Sequence, residues 1–245
     1  MERQEFKNHI SGQLNQNLEG LFNRILEMGG LVERQLEHVI TAVQNGDLAL
    51  AKEVFQLDKV INREEIEIDR LCASVLARQQ PAASDLRLII MGIRIAIDLE
   101  RMGDEAVKVA KLVVKMHAAD MRCNVLPGYN GLVELVVGGH AMLKNVLDSF
   151  ARLDLSMVRS VFADEEKMDK VFKNAILELN NSFKGSDIDV ELLLEMVNAL
   201  RASERVTDHS ENIAESIVYL VRGRDIRQMD SDKLHEFLTQ VEAEI

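Results

Sequence analysis

The sequence predicts an all-α protein: two tandem antiparallel three-helix bundles. Three observations lead there. Aromatic residues make up only 4% of the 245 residues and prolines number two, while 47% are hydrophobic and 29% charged, a balance that favours long amphipathic helices over strands. Turn signals are few and widely spaced. The second half repeats the pattern of the first at a nearly constant offset.

The elements follow in order. Residues 5 to 44 read as one helix closed by Asn45-Gly46, and Asp47 is the expected N-cap of the next. That second helix runs to Gln80, where Pro81 stops it. A third begins after Ser84 or Asp85, either of which can accept first-turn amides, and continues to His117. Rods of this length span roughly 50–60 Å, and short turns force them antiparallel. The stretch 118 to 131, with Pro127-Gly128 and Asn130-Gly131, reads as a linker. Helices are then expected over 131–152 and 154–183, followed by a Gly185-Ser186-Asp187 turn and a third helix to Val221. A turn at Asp230-Ser231-Asp232 and a short amphipathic helix ending near Glu244 complete the tail. The expected units are a first bundle at 1–118, a linker at 119–130, a second bundle at 131–223 and a tail at 224–245.

An offset of 107 pairs Ile40 with Leu147, Val43 with Phe150, Asp47 with Asp154, Val54 with Val161, Asp58 with Glu165 and Asn62 with Asp169. In the third helices the offset becomes 104, pairing Glu100-Arg101 with Glu204-Arg205 and Asp104 with Asp208. Length alone allows one or two bundles, and the repeat selects two.

Charge and motifs exclude several functions. A net charge of −12 disfavours nucleic acid and polybasic membrane binding, since both need stripes of Lys and Arg. No uncharged apolar run approaches the roughly 18 residues of a membrane span, and MERQEFKNHI lacks the apolar core of a secretory signal. Cys72 and Cys123 have no third cysteine and no C-x-x-C spacing, so a disulfide framework or thiolate zinc site is not expected. No H-E-x-x-H, Gly-rich phosphate loop or G-x-S-x-G elbow occurs, and no catalytic residue is expected. A soluble cytoplasmic protein that is not an enzyme is the expectation.

The chemistry lies in acids that interrupt apolar stripes. On the third helix the 3–4 spacing of Leu86, Ile90, Ile93, Ile97, Glu100, Asp104, Val107, Lys111 and Val114 reads as a core face holding two acids one turn apart. On the fifth, Val158, Phe162, Glu165, Asp169, Phe172, Ile176, Leu179 and Phe183 do the same. Glu204/Asp208 repeats the E-x-x-x-D pattern, and Asp58/Asn62 is a degenerate copy. Like charges at i, i+4 repel, and desolvation adds to the cost unless a cation answers them. Antiparallel helices presenting such pairs at one level offer an oxygen set for iron, manganese, magnesium or zinc. The expected result is one polynuclear metal site per bundle. Two other readings stand beside it: a scaffold whose acids pair with arginines, and a ferritin-like carboxylate enzyme or metal-storage bundle. The last lacks the usual Glu-x-x-His ligands.

The segment Arg78-Gln79-Gln80-Pro81-Ala82-Ala83-Ser84-Asp85-Leu86-Arg87, followed by Asp98-Leu99-Glu100-Arg101-Met102-Gly103-Asp104-Glu105-Ala106, resembles the PhoU family. Ser203-Glu204-Arg205-Val206-Thr207-Asp208, Glu211-Asn212-Ile213-Ala214-Glu215 and Tyr219-Leu220-Val221-Arg222-Gly223 resemble its second repeat, so the likeness covers essentially the whole chain. The resemblance implies negative regulation of the phosphate-starvation response and modulation of phosphate uptake. It implies a cytoplasmic homodimer, peripheral to the inner membrane through two partners: the ATPase subunit of the phosphate ABC transporter and the sensor histidine kinase. It further implies multinuclear metal clusters, iron or zinc before manganese or magnesium. Their ligands would be Asp58, Asn62, Glu100, Asp104, Glu165, Asp169, Glu204 and Asp208. Asn62 departs from the strict acid motif, Thr207 stands where glycine is common and Lys108 where asparagine is frequent. The site with four acids is expected to hold metal more tightly, provided Thr207 does not crowd it.

Overall fold

The structure, a computed structural model, describes residues 12–81, 83–182 and 188–243. These form α1 (Gly12–Asn45), α2 (Leu48–Gln79), α3 (Ala83–Ala118), a single 3₁₀ turn (Cys123–Val125), α4 (Tyr129–Arg152), α5 (Val158–Ser182), α6 (Val190–Arg222) and α7 (Ser231–Ala243). Among the described residues no strand occurs. The expected start of the first helix at residue 5, the Gly185-Ser186-Asp187 turn and the end at Glu244 lie outside the described residues.

Local signals explain most boundaries. Asp47 caps α2 by accepting from the amides of Ala49 and Leu50 at 2.9 and 3.1 Å. Gln80 ends that helix in the left-handed region, with Pro81 next. Gly223 ends α6 in the same conformation (φ 69°), its amide bonded to the Tyr219 carbonyl at 2.8 Å.

Three boundaries differ from expectation. Neither Ser84 nor Asp85 precedes the third helix: it begins at Ala83, and Asp85 is buried within its first turn. The linker is partly ordered, because Cys123 and Leu126 are buried around the 3₁₀ turn and α4 starts at Tyr129. Asp154 does not open the fifth helix as Asp47 opens the second. Its carboxylate folds back onto the amide and hydroxyl of Ser156, and α5 starts only at Val158.

Within each half the three helices pack on one another, α1 with α2 and α3, and α4 with α5 and α6. The halves join along two seams, α1 against α4 and α3 against α6. Phe22 of α1 stacks on Phe150 of α4 with ring centroids 4.6 Å apart. A Cβ on Gly29 of α1 would come within 2.4 Å of Leu147 of α4, so glycine there permits the close approach. Contacts that climb α1 while descending α4 make the pair antiparallel. The second seam is more polar: Asp98 meets His209, Glu105 meets Arg205 and Lys115 meets Glu191.

This arrangement leaves α2 and α5 on the outside. Each buries a single narrow stripe, Ala51, Val54, Ile61, Ile68, Cys72 and Val75 on α2, and Val158, Val161, Met168, Ala175 and Leu179 on α5. The helices α3 and α6 serve both their own bundle and the opposite one, and bury most of their circumference.

Candidate metal-binding acid clusters

The two-sided burial of α3 corrects the sequence reading of its core face. Leu88, Met91, Ile95, Leu99, Met102, Ala106, Val109 and Val113 are buried, whereas Leu86, Ile90, Asp104 and Lys111 of the expected stripe are exposed and Glu100 is intermediate. On α5 the buried stripe lies beside the expected one, and Glu165, Asp169, Phe172 and Ile176 flank it half-buried. Phe183 lies outside the described residues. The acids therefore sit on the rims of the seams, partly desolvated but reachable from water.

They are nonetheless gathered. Burial raises the Asp58 carboxyl above its ordinary range, the Asp104 charge adds to this, and Lys111 opposes it. Glu100 is raised by burial and then by Asp104, Glu65 and Asp58. In the second half burial, Asp208 and Asp169 raise Glu165, and the same set with Glu165 raises Glu204. Asp208 is raised by burial, with His209 and Arg205 opposing and Asp169 adding. Each half thus holds one negative cluster spanning its outer helix and its two-sided helix: Asp58, Glu100 and Asp104 in the first, Glu165, Asp169, Glu204 and Asp208 in the second.

The salt-bridge alternative is poorly met. Among the described residues no Lys or Arg lies within 4 Å of the carboxylates of Asp58, Glu100, Asp104, Glu165, Glu204 or Asp208; Asp169 alone pairs, with Lys173 one turn along its own helix. Arg205 turns away to Glu105 across the α3–α6 seam at 3.4 Å, and Lys108 binds the same carboxylate at 2.7 Å. Buried oxygens Oδ1 of Asp58 and Oδ1 of Asn62 have no hydrogen-bond partner. Orphaned acceptors beside unpaired carboxylates fit a hard or borderline cation. The donor atoms of the eight residues are not drawn together, however: no three carboxylates among them lie within 4.8 Å of one another.

Thr207 does not crowd the second cluster. It is buried, donates to the Glu204 carbonyl at 2.6 Å, and turns its methyl toward Gly139 of α4. In the first bundle the small residue is on the other partner: a Cβ on Gly103 of α3 would stand 3.1 Å from Oε1 of Gln35.

Three participants escaped the sequence reading. Glu65 follows Asp58 and Asn62 at helical spacing, and Glu211 extends Glu204 and Asp208 in the same way. Burial and the charges of Glu165, Glu215 and Asp208 push Glu211 up to about 7. The 3–4 spacing of both was available as a signal. Gln35, fully buried, donates to the carbonyls of Val54 and Gly103 at 3.1 and 3.3 Å and ties α1 to α2 and α3 behind the first cluster. A glutamine on the stripe of Val32, Leu36 and Val39 was its only mark.

Two tandem helical bundles, each bearing one cluster of largely unpaired acids, define a duplicated helical protein with acid-rich rims. The PhoU domain family matches residues 25–113 and 134–217, one copy in each bundle. The chain belongs to the PhoU family, a family of accessory and regulatory proteins of phosphate transport and not of enzymes. It is 40% identical over 93% of its length to a phosphate-specific transport system accessory protein PhoU homolog of Pseudomonas putida, covering 88% of that protein. It is 34% identical to the accessory protein PhoU of Escherichia coli K12, with 97% of each chain covered. The crystal structure of PhoU from Pseudomonas aeruginosa superposes with a TM-score of 0.79 at 39% identity, over 86% of this chain and 99% of that one. The phosphate transport system regulatory protein PhoU of Streptococcus pneumoniae gives 0.75 at 27% identity, over 85% and 96%. Among the described residues no helix is long and apolar enough to cross a membrane.

Proposed function

We propose that this protein is a negative regulator of the phosphate-starvation response and a modulator of phosphate uptake. It acts as a metal-binding adaptor between the phosphate ABC transporter, through its ATPase subunit, and the sensor histidine kinase. The observation that carries this reading is the duplicated cluster of largely unpaired acids, at matching positions in the two bundles of a PhoU-family chain. Asp58, Asn62, Glu100 and Asp104 would hold one metal centre, and Glu165, Asp169, Glu204 and Asp208 the other. Iron or zinc suits these oxygens, with manganese or magnesium next. Bound cations would offset the mutual repulsion of the rim acids and tie together the two helices that carry them. The second centre, with four acids against three acids and an amide, is the tighter of the two. The protein works in the cytoplasm as a homodimer, held at the membrane by its partners.

The test is genetic and biochemical. A deletion strain grown in ample phosphate should express its phosphate-scavenging genes, and the intact gene should restore repression. Continued repression in the deletion strain would remove the regulatory role. Pull-downs against the ATPase and the kinase, with and without phosphate, should recover both partners. Metal content should fall more in Asp208→Ala than in Asp104→Ala, and equal loss would count against the ranking of the centres.

A further inference from the structure

A third group of ligand-type side chains lies away from both acid clusters, on the α1–α4 seam. Glu33 and Glu37 stand one turn apart on α1, and His140 faces them from α4. Among the described residues this is the one group of three or more His, Cys, Asp or Glu whose donor atoms all fall within 4.8 Å of one another. His140 Nε2 lies 3.9 Å from Glu33 Oε1 and 3.7 Å from Glu37 Oε1. Both distances are too long for a hydrogen bond, and Nε2 is buried with no hydrogen-bond partner. A buried ring nitrogen held just beyond bonding distance of two carboxylates is an unfilled arrangement.

The spacing is that of ligands around an ion. A point equidistant from three atoms with these separations lies roughly 2 to 2.5 Å from each, and zinc bonds nitrogen and carboxylate oxygen at about 2.0–2.2 Å. Small side-chain shifts close the difference. The helices supply rigidity. Glu33 and Glu37 continue the i, i+4 line of Gly29, and His140 lies two turns before Leu147, the side chain that fills the space over Gly29. The stacked Phe22 and Phe150 lock the same seam further along. The seam's own register thus sets the histidine level with the two acids.

The geometry points to a mononuclear divalent-cation site formed by Glu33, Glu37 and His140, clasping the first bundle to the second. One imidazole and two carboxylates favour zinc among biological divalent ions and leave a position for water. This site is independent of the acid clusters. It shares no residue with them and takes its ligands from both halves.

The experiment uses the full chain, stripped with chelator and dialysed against zinc chloride, with zinc counted by mass spectrometry and located by anomalous diffraction. His140→Gln and Glu37→Gln should each lose one zinc equivalent or bind it at least about tenfold more weakly. Asp58→Asn/Asp104→Asn/Glu165→Gln/Asp208→Asn should keep it. Zinc should also raise the melting temperature of the parent chain more than that of His140→Gln. Glu37 is a surface position, 57% exposed, so its variant folds whether or not the histidine variant does. An anomalous peak between the three donors supports the site. Its absence, unchanged zinc binding in both variants, or loss in Glu37→Gln with His140→Gln unaffected overturns it, leaving an ion pair of a protonated histidine with two glutamates.

Discussion

At the scale of single residues, a side chain's cost or benefit depends on which neighbours it meets. Asp47 meets two orphan amides, and Asp47→Ala should lower stability by about 1 kcal/mol in urea denaturation. Glu211 meets only burial and other acids, which lift it from 4.5 to about 7. Between those values the folded chain holds a proton that the unfolded chain has released. The metal-free protein should therefore lose stability as pH rises through this window, with the full loss present above it. Glu211→Gln should flatten that slope and raise the melting temperature at pH 8, as followed by circular dichroism in chelator. Glu211 was legible, since it stands seven residues after Glu204 on one face. Gln35 was not legible as a three-helix tie, because a glutamine on a helix can equally be a solvated side chain. Only the meeting of α1 with Val54 and Gly103 gives it acceptors.

At the scale of helices, the boundaries were largely written in caps and breakers, while the faces were not. The spacing of Leu86, Ile90, Ile93 and Ile97 gave a valid helix and a wrong orientation. Hydrophobic periodicity names a core face only when a helix has one neighbour side, and α3 has two. The same fact moved the acid pairs from the core to a rim, where the clusters remain crowded without being sealed. Metal uptake should accordingly fall off as the solution is acidified, at a higher pH than for ordinary carboxylates. Protons compete for groups whose affinity for them has been raised by burial and mutual repulsion. Zinc or manganese titrations at stepped pH would measure this, and an affinity that does not change on acidification would argue against carboxylate ligation.

For the whole molecule, the two seams make the halves interdependent. Phe150 is fully buried and stacks on Phe22 of the other half, so Phe150→Ala should cost about 3–5 kcal/mol. The loss should appear as one cooperative transition, seen alike by probes placed in either bundle. Two separate transitions would mean that the halves fold alone. By itself the sequence determined the helical class, the duplication, most turns, the family and most but not all of the clustered acids, because caps, breakers and repeated spacing are local and survive in one dimension. Which side of each helix is covered, how far the acids are desolvated, that Arg205 serves Glu105 instead of the cluster, and that His140 meets Glu33 and Glu37 were decided only by the tertiary structure. Burial and electrostatic partnership belong to pairs of helices distant in sequence, and no single helix carries the register in which they meet.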